Sequence, residues 1–226
     1  MGLRERKKAE TRAALSWAAL RLTVERGLDD VRVEDIAEAA GVSPRTFNNY
    51  FSSKGEAIVA RHLDRCLRIA EALREHPAEP LWEAILLAVL PQFEPDAAAT
   101  APPGHDAGQW ATGVRMMLAE PALQGEMLRA GALAEAGIAE AVADRTGTDP
   151  RQDLYPHLVA STVLAATNTA MAHHLRTDPP VPVRDLLAEA LTRIAAGLPA
   201  PRMCTATAGS DRTPGAGHLP GGGNRS

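Results

Sequence analysis

The sequence predicts an all-α chain in two parts, an N-terminal three-helix unit of helix-turn-helix proportions and a larger helical body behind it. Three observations carry this. Apolar residues recur at three- and four-residue spacing through most of the 226 residues. Strand signals are missing, because β-branched runs are short and aromatic residues make up only 4%. Proline breaks separate the longer periodic stretches.

The first helix is expected over 7–26. Leu15, Ala18, Ala19 and Leu22 form one apolar stripe, and Trp17, Leu20 and Val24 a second. Gly27 stops it as a C-terminal cap residue. A short second helix follows over 33–40, with Ile36, Ala37 and Ala40 apolar, and Gly41 ends it. Ser43 is a natural N-cap and Pro44 a natural first residue for a third helix reaching Phe51. Ser52 and Ser53 then cap a fourth over 54–76. Later helices are expected over 80–93, 107–118, 121–146, 150–175 and 183–197. Residues 94–106 hold three prolines and read as a loop. Residues 199–226, rich in Gly, Pro, Ser and Thr, read as a disordered tail. The expected division is 1–53 for the N-terminal unit, with the fourth helix extending it to about 65, then 66–198 for the body.

Charge divides the same way. The net charge is −4, so the surface as a whole is no nucleic-acid binder. Residues 1–65 carry twelve Lys and Arg against ten Asp and Glu, and the remainder carries twelve against eighteen. The excess sits in Arg4, Arg6, Lys7, Lys8 and Arg12, so one end alone is suited to phosphate. Cys66 and Cys204 are the only cysteines and fit no ligand spacing. No Cys/His cluster has zinc spacing, and no phosphate loop or nucleophile elbow is present. No metal, cofactor or catalytic activity is expected. With no signal-peptide stretch and no membrane-length apolar run, the expected location is cytoplasmic, without membrane contact.

Residues 33–51 carry the chemistry. Two short helices joined by Gly41, Val42 and Ser43 form a helix-turn-helix, and Gly41 supplies the positive φ of the turn. Ile36, Val42, Phe47 and Phe51 are placed to pack on the first helix. Arg45, Thr46, Asn48, Asn49 and Tyr50 then face outward. Arg suits guanine and Asn suits adenine in the major groove. Thr and Tyr hydroxyls suit phosphate, and Lys54 is placed to add another phosphate contact.

The set Thr11-Arg12, Ala18-Ala19-Leu20, Glu25-Arg26-Gly27, Val33-Glu34-Asp35-Ile36-Ala37, Ala40-Gly41-Val42-Ser43, Thr46-Phe47, Tyr50-Phe51 and Lys54 resembles the N-terminal domain of tetracycline-repressor-type regulators. The resemblance covers about the first quarter of the chain. It implies a sequence-specific DNA-binding regulator with a C-terminal ligand-binding and dimerisation domain. Such a regulator is a homodimer on a palindromic double-stranded operator, released by a small-molecule effector. The expected DNA-contacting residues are Arg32, Ser43, Pro44, Arg45, Thr46, Asn48, Asn49, Tyr50 and Lys54. Two positions depart from the pattern: Arg32 stands where the family usually has a capping Thr, and Asn48 where an aromatic is common. An architectural or cell-division factor of the same fold without an inducer is the alternative, and a helical enzyme or carrier a third.

The body has no diagnostic motif. Trp82, Phe93, Trp110, Met116, Met117, Met127 and Met171 suit an adaptable apolar pocket, with Asn168 to orient a ligand. The resemblance implies that the last two helices form a four-helix interface with a second copy. Leu158, Ala165, Ala172, Leu187, Leu191 and Ile194 are its expected members.

Overall fold

Helical periodicity is realised throughout the part of the chain that a computed structural model describes, residues 2–94 and 107–199. Among these residues there is no strand. The helices are α1 (Leu3–Arg26), α2 (Val33–Ala39), α3 (Pro44–Asn48), α4 (Lys54–Arg74), α5 (Leu81–Val89), α6 (Ala107–Ala119), α7 (Pro121–Thr146), α8 (Leu154–Arg176) and α9 (Val183–Ala195). The side chains of 107–111 and 118 lie outside the description, as do the expected loop from 95 onward and the expected tail from 200 onward.

Four boundaries differ from expectation by three residues or more, each for a local reason. α1 begins at Leu3 rather than Lys7, since nothing before Lys7 breaks a helix and Arg6 pairs with Glu10 at 3.6 Å. Arg4, Arg6, Lys7 and Lys8 therefore ride on a helix. α3 stops at Asn48, because the Asn49 and Tyr50 N–H groups tighten onto Thr46 and Phe47 carbonyls at 3.1 and 2.8 Å. α5 stops at Val89 and passes into a 3-10 turn over Leu90–Phe93, where Pro91 has no N–H to continue the ladder. α8 starts at Leu154 rather than Pro150. The Asp153 carboxylate accepts from the Asp149 N–H at 2.8 Å and the Asp149 carboxylate from the Arg151 N–H at 2.9 Å, closing a turn instead.

α4 is the central strut. It packs on α1 on one side and on α5 and α7 on others. Ser53 caps it by accepting from the Glu56 N–H at 2.9 Å, while Glu56 accepts from the Ser52 N–H at 2.7 Å. Ser53 also donates to Glu126 of α7 at 3.0 Å, and Ser16 of α1 donates to the Ala57 carbonyl at 2.7 Å. At the far end of α4 the Arg145 guanidinium donates to the carbonyl of Leu73 in the last turn of α4, and to those of His76 and Glu79 in the connection that follows.

Two apolar cores lie along this strut. The first joins α1–α3 and the start of α4 to Val114, Met117, Leu123, Ala130 and Met171 of the body. The second holds the end of α4, α5, the end of α7, α8 and the inner face of α9. Leu187 and Leu191 are 0% and 1% exposed within it. Burying each stabilises this chain by about 1.5–3 kcal/mol, and neither side chain has surface left to offer a second copy. Their expected role in a dimer interface is thus corrected to monomer core, because the apolar stripe of α9 turns inward. Ile194 is half-buried against the same core.

Candidate nucleic-acid interface

The outward surface of α3 is set from inside. Phe47 and Phe51 are buried with ring centroids 5.7 Å apart, and Ile36 and Ala37 lie at 0% exposure beneath them. Arg12 of α1 sits over the Phe51 ring at 4.8 Å and pairs with Asp64 of α4 at 3.2 Å, tying the unit together. Gly41 takes φ 69° in the turn, which a side chain would strain. Ser43 caps α3 by accepting from the Thr46 N–H at 3.1 Å, and the Ser43 and Thr46 hydroxyls lie 2.9 Å apart.

That scaffold leaves Arg32, Ser43, Pro44, Arg45, Asn48 and Asn49 exposed, with Thr46 and Tyr50 half-buried. Arg32 has no acceptor with which to cap α2; the half that forms is Asp35 accepting from the Arg32 N–H at 2.9 Å. Its guanidinium is left to the surface. Lys54 behaves differently from expectation. Its ammonium donates to the carbonyls of Leu28 at 2.5 Å and Val31 at 3.0 Å, so it clamps the α1–α2 connection onto α4. Only one of its three N–H groups remains for phosphate.

A cavity of about 300 Å³ lies behind the unit, walled by α1, α4, α6, α7, α8 and the 3-10 turn. Of the expected pocket residues, Phe93, Met117, Met127, Asn168 and Met171 line it. Trp82 is elsewhere, packed on the second core, and Met116 is not in the wall. The Trp110 side chain lies outside the described ones. Ala172, expected at a dimer interface, lines the cavity instead and is half-buried. Residue-by-residue reading missed Leu20, Ile58, Arg61, His62, Arg65, Val114 and Thr167. A signal for four of them exists: Ile58, Arg61, His62 and Arg65 share one face of α4 at i, i+3, i+4 and i+7. Three polar side chains there interrupt an otherwise apolar stripe.

Residues 17–60 match the family model described as "Bacterial regulatory proteins, tetR family", and residues 79–199 match the "MftR C-terminal domain". The HTH-type transcriptional regulator TcmR of Streptomyces glaucescens is 30% identical over 182 residues, 78% of this chain and 79% of that protein. The chain belongs to the TetR family. It is a DNA-binding transcriptional regulator, and members of this family are generally non-enzymatic. The putative mycofactocin biosynthesis transcriptional regulator MftR of Mycobacterium tuberculosis is 29% identical over 85% of this TetR-family chain and 93% of its own length. The structure of a fatty acid degradation regulator, FadR of Bacillus halodurans, shares the fold, with a TM-score of 0.55 and 17% identity over 83% of this chain and 96% of that one.

Among the described residues no three His, Cys, Asp or Glu side chains gather as a metal site, and no helix is long and apolar enough to cross a membrane.

Proposed function

We propose that this TetR-family chain is a dimeric repressor that holds a palindromic operator through α3 and releases it when a small molecule fills the cavity. The observation that carries release is the shared wall. Leu20, from the helix that supports α3, lines the cavity directly, beside residues of α4, α6, α7 and α8. α6 is pressed against that same residue, since a Cβ on Gly113 would stand 2.6 Å from Leu20 Cδ1. A ligand occupying the cavity pushes on α1, and α1 carries the reading unit.

The dimer reading is supported by α8. Leu154, Leu158, Ser161, Ala165 and Asn168 are exposed and spaced alternately by four and three residues. Leu154 and Leu158 are 76% and 56% exposed. A surface seam of that period suits a neighbouring helix from a second copy. In this reading Leu158 and Ala165 contact the partner. Arg45, Asn48 and Asn49 read base edges, while Arg32, Ser43, Thr46 and Tyr50 hold phosphate. Residues 1–65 act as the DNA-binding part and 66–198 as the regulatory part, with a core shared between them.

Selection of binding sites from random duplexes with the full chain tests this. The expected product is an inverted repeat whose half-sites sit about one helical turn, or a multiple of it, apart. Unpaired half-sites sink the dimer. Many dispersed weak sites, insensitive to any ligand of the cavity, favour an architectural factor instead.

A further inference from the structure

The first helix starts well before its core does. Residues 2–10 are exposed throughout, and burial in α1 is complete only from Leu15. Over the exposed stretch Arg4, Lys7, Lys8 and Thr11 recur at i, i+3, i+4 and i+7, so they share one face. Positions 8, 11, 15, 18 and 22 are spaced alternately by three and four residues, and that face runs on into Leu15, Ala18 and Leu22. Those three are buried in the core that also holds Ile36, Phe47 and Phe51. The basic face therefore continues, past the edge of the core, the side of α1 on which the reading unit is packed.

Arg12 marks where the core ends, since its guanidinium lies over the Phe51 ring. Lys8 and Arg4 stand one and two turns further out, about 6 and 12 Å along the helix axis. Phe51 closes the segment that α3 begins, so the overhang leaves the body beside the end of the reading surface. Arg6 pairs with Glu10 at 3.6 Å on another face, and Glu5 falls beside the basic face rather than on it. Among the described residues Arg4, Lys7 and Lys8 pair with no carboxylate. Three exposed cations without an acid contribute little to the fold. They do match a polyanion of regular spacing. About 12 Å of helix spans roughly three phosphates of one DNA strand, which follow each other by about 3.4 Å along the duplex axis.

We propose that Arg4, Lys7 and Lys8 form a second DNA contact, a helical overhang of α1 that lies along backbone phosphates outside the base pairs met by α3. This rests on α3 as the reading helix, because the place of the overhang is set from it. The partner is duplex DNA, since the face is continuous with the α3 surface and carries the complementary charge. Phosphate contacts of this kind carry no sequence information. They widen the footprint, raise affinity on a flank of any sequence and weaken steeply with salt. Reading is then the work of α3, and holding the flank is the work of α1.

Equilibrium binding of the full chain to two duplexes tests the overhang. One is the sequence selected from random duplexes, trimmed to its outermost specified base pairs. The other carries about six further base pairs of arbitrary sequence at each end, enough to lie under the overhang. The wild type is expected to bind the longer duplex at least about tenfold more tightly at 0.15 M salt, with a salt slope steeper by about two units per protomer. The combined variant Arg4→Gln, Lys7→Gln, Lys8→Gln should bind both duplexes with equal affinity and slope, and its selected sequence should be unchanged. Arg4→Lys should keep the difference. On a mixed-sequence duplex the combined variant should lose salt slope as well, so the outcome does not depend on finding the operator. Thermal melts establish that the variant folds; if it does not, the wild-type duplex pair and hydroxyl-radical protection of the flanking backbone decide the matter. Equal binding of both duplexes by the wild type overturns the proposal. So does a flank preference that survives the combined substitution in a folded protein, or failure to bind any duplex. If the flank preference disappears in the combined variant while Arg45→Ala leaves the preferred sequence unaltered, this inference stands and readout by Arg45 of α3 fails.

Discussion

Arg45 and Arg61 lie sixteen positions apart in sequence and stand in opposite environments. Arg45 stands in solvent on α3. Arg61 is packed over Trp17, and its Nε is already stripped of water and unpartnered. An exposed cation contributes little to the fold and is free to read whatever it meets. A buried one carries a desolvation cost that its own contacts have to offset. The same residue type thus stands in two environments, and burial rather than identity separates them.

Four measurements break or sharpen that contrast. The largest effect is expected from the support beneath the exposed surface. Phe47→Ala removes a side chain of 0% exposure and should cost about 3–5 kcal/mol in urea unfolding. A loss below about 1 kcal/mol would mean that the reading surface is not held by this core.

The next lies on the buried side. His62 has a folded value of about 4 against an ordinary 6.5. Below pH 6.5 the unfolded chain takes up a proton that the folded chain refuses, so stability falls between about pH 6.5 and 4 and then levels. The full loss is about 3 kcal/mol at about 1.4 kcal/mol per unit. His62→Gln should flatten that part of the stability profile relative to wild type; parallel profiles place His62 in water instead.

Lys54 stands between the two environments. Its two carbonyl contacts predict that Lys54→Met loses about 1.5–3 kcal/mol of stability. The salt slope of DNA binding should change by less than one phosphate's worth. A full unit of slope with unchanged stability returns Lys54 to the DNA surface.

Smallest in stability is Arg45→Ala, expected within about 0.5 kcal/mol of wild type. Its effect belongs to specificity, about 1–3 kcal/mol of discrimination at one base pair in a competition assay. An unaltered preferred sequence removes Arg45 from base readout.

What could be read in advance follows the same division between local and distant contacts. Ser43, Pro44 and Gly41 announce a cap, a start and a turn through their own chemistry, so the helix-turn-helix was legible residue by residue. The inward turn of Leu187 and Leu191 was not. An apolar stripe of period 3.6 reports that a helix buries one face, and says nothing about whether the neighbour is its own chain or another. Phe93 and the methionines drew attention to a pocket through their chemistry. Arg61 and His62 did not, because a polar or charged residue on a helix ordinarily faces water.

The sequence by itself determined the helices, their caps and the polar outer surface of α3, since these depend on residues within a turn or two of each other. The tertiary structure decided which charges are buried, which apolar stripe closes the core, and that Lys54 binds carbonyls of the α1–α2 connection. Those outcomes depend on what lies across a packing interface, between segments far apart in the chain, and no local pattern encodes that pairing.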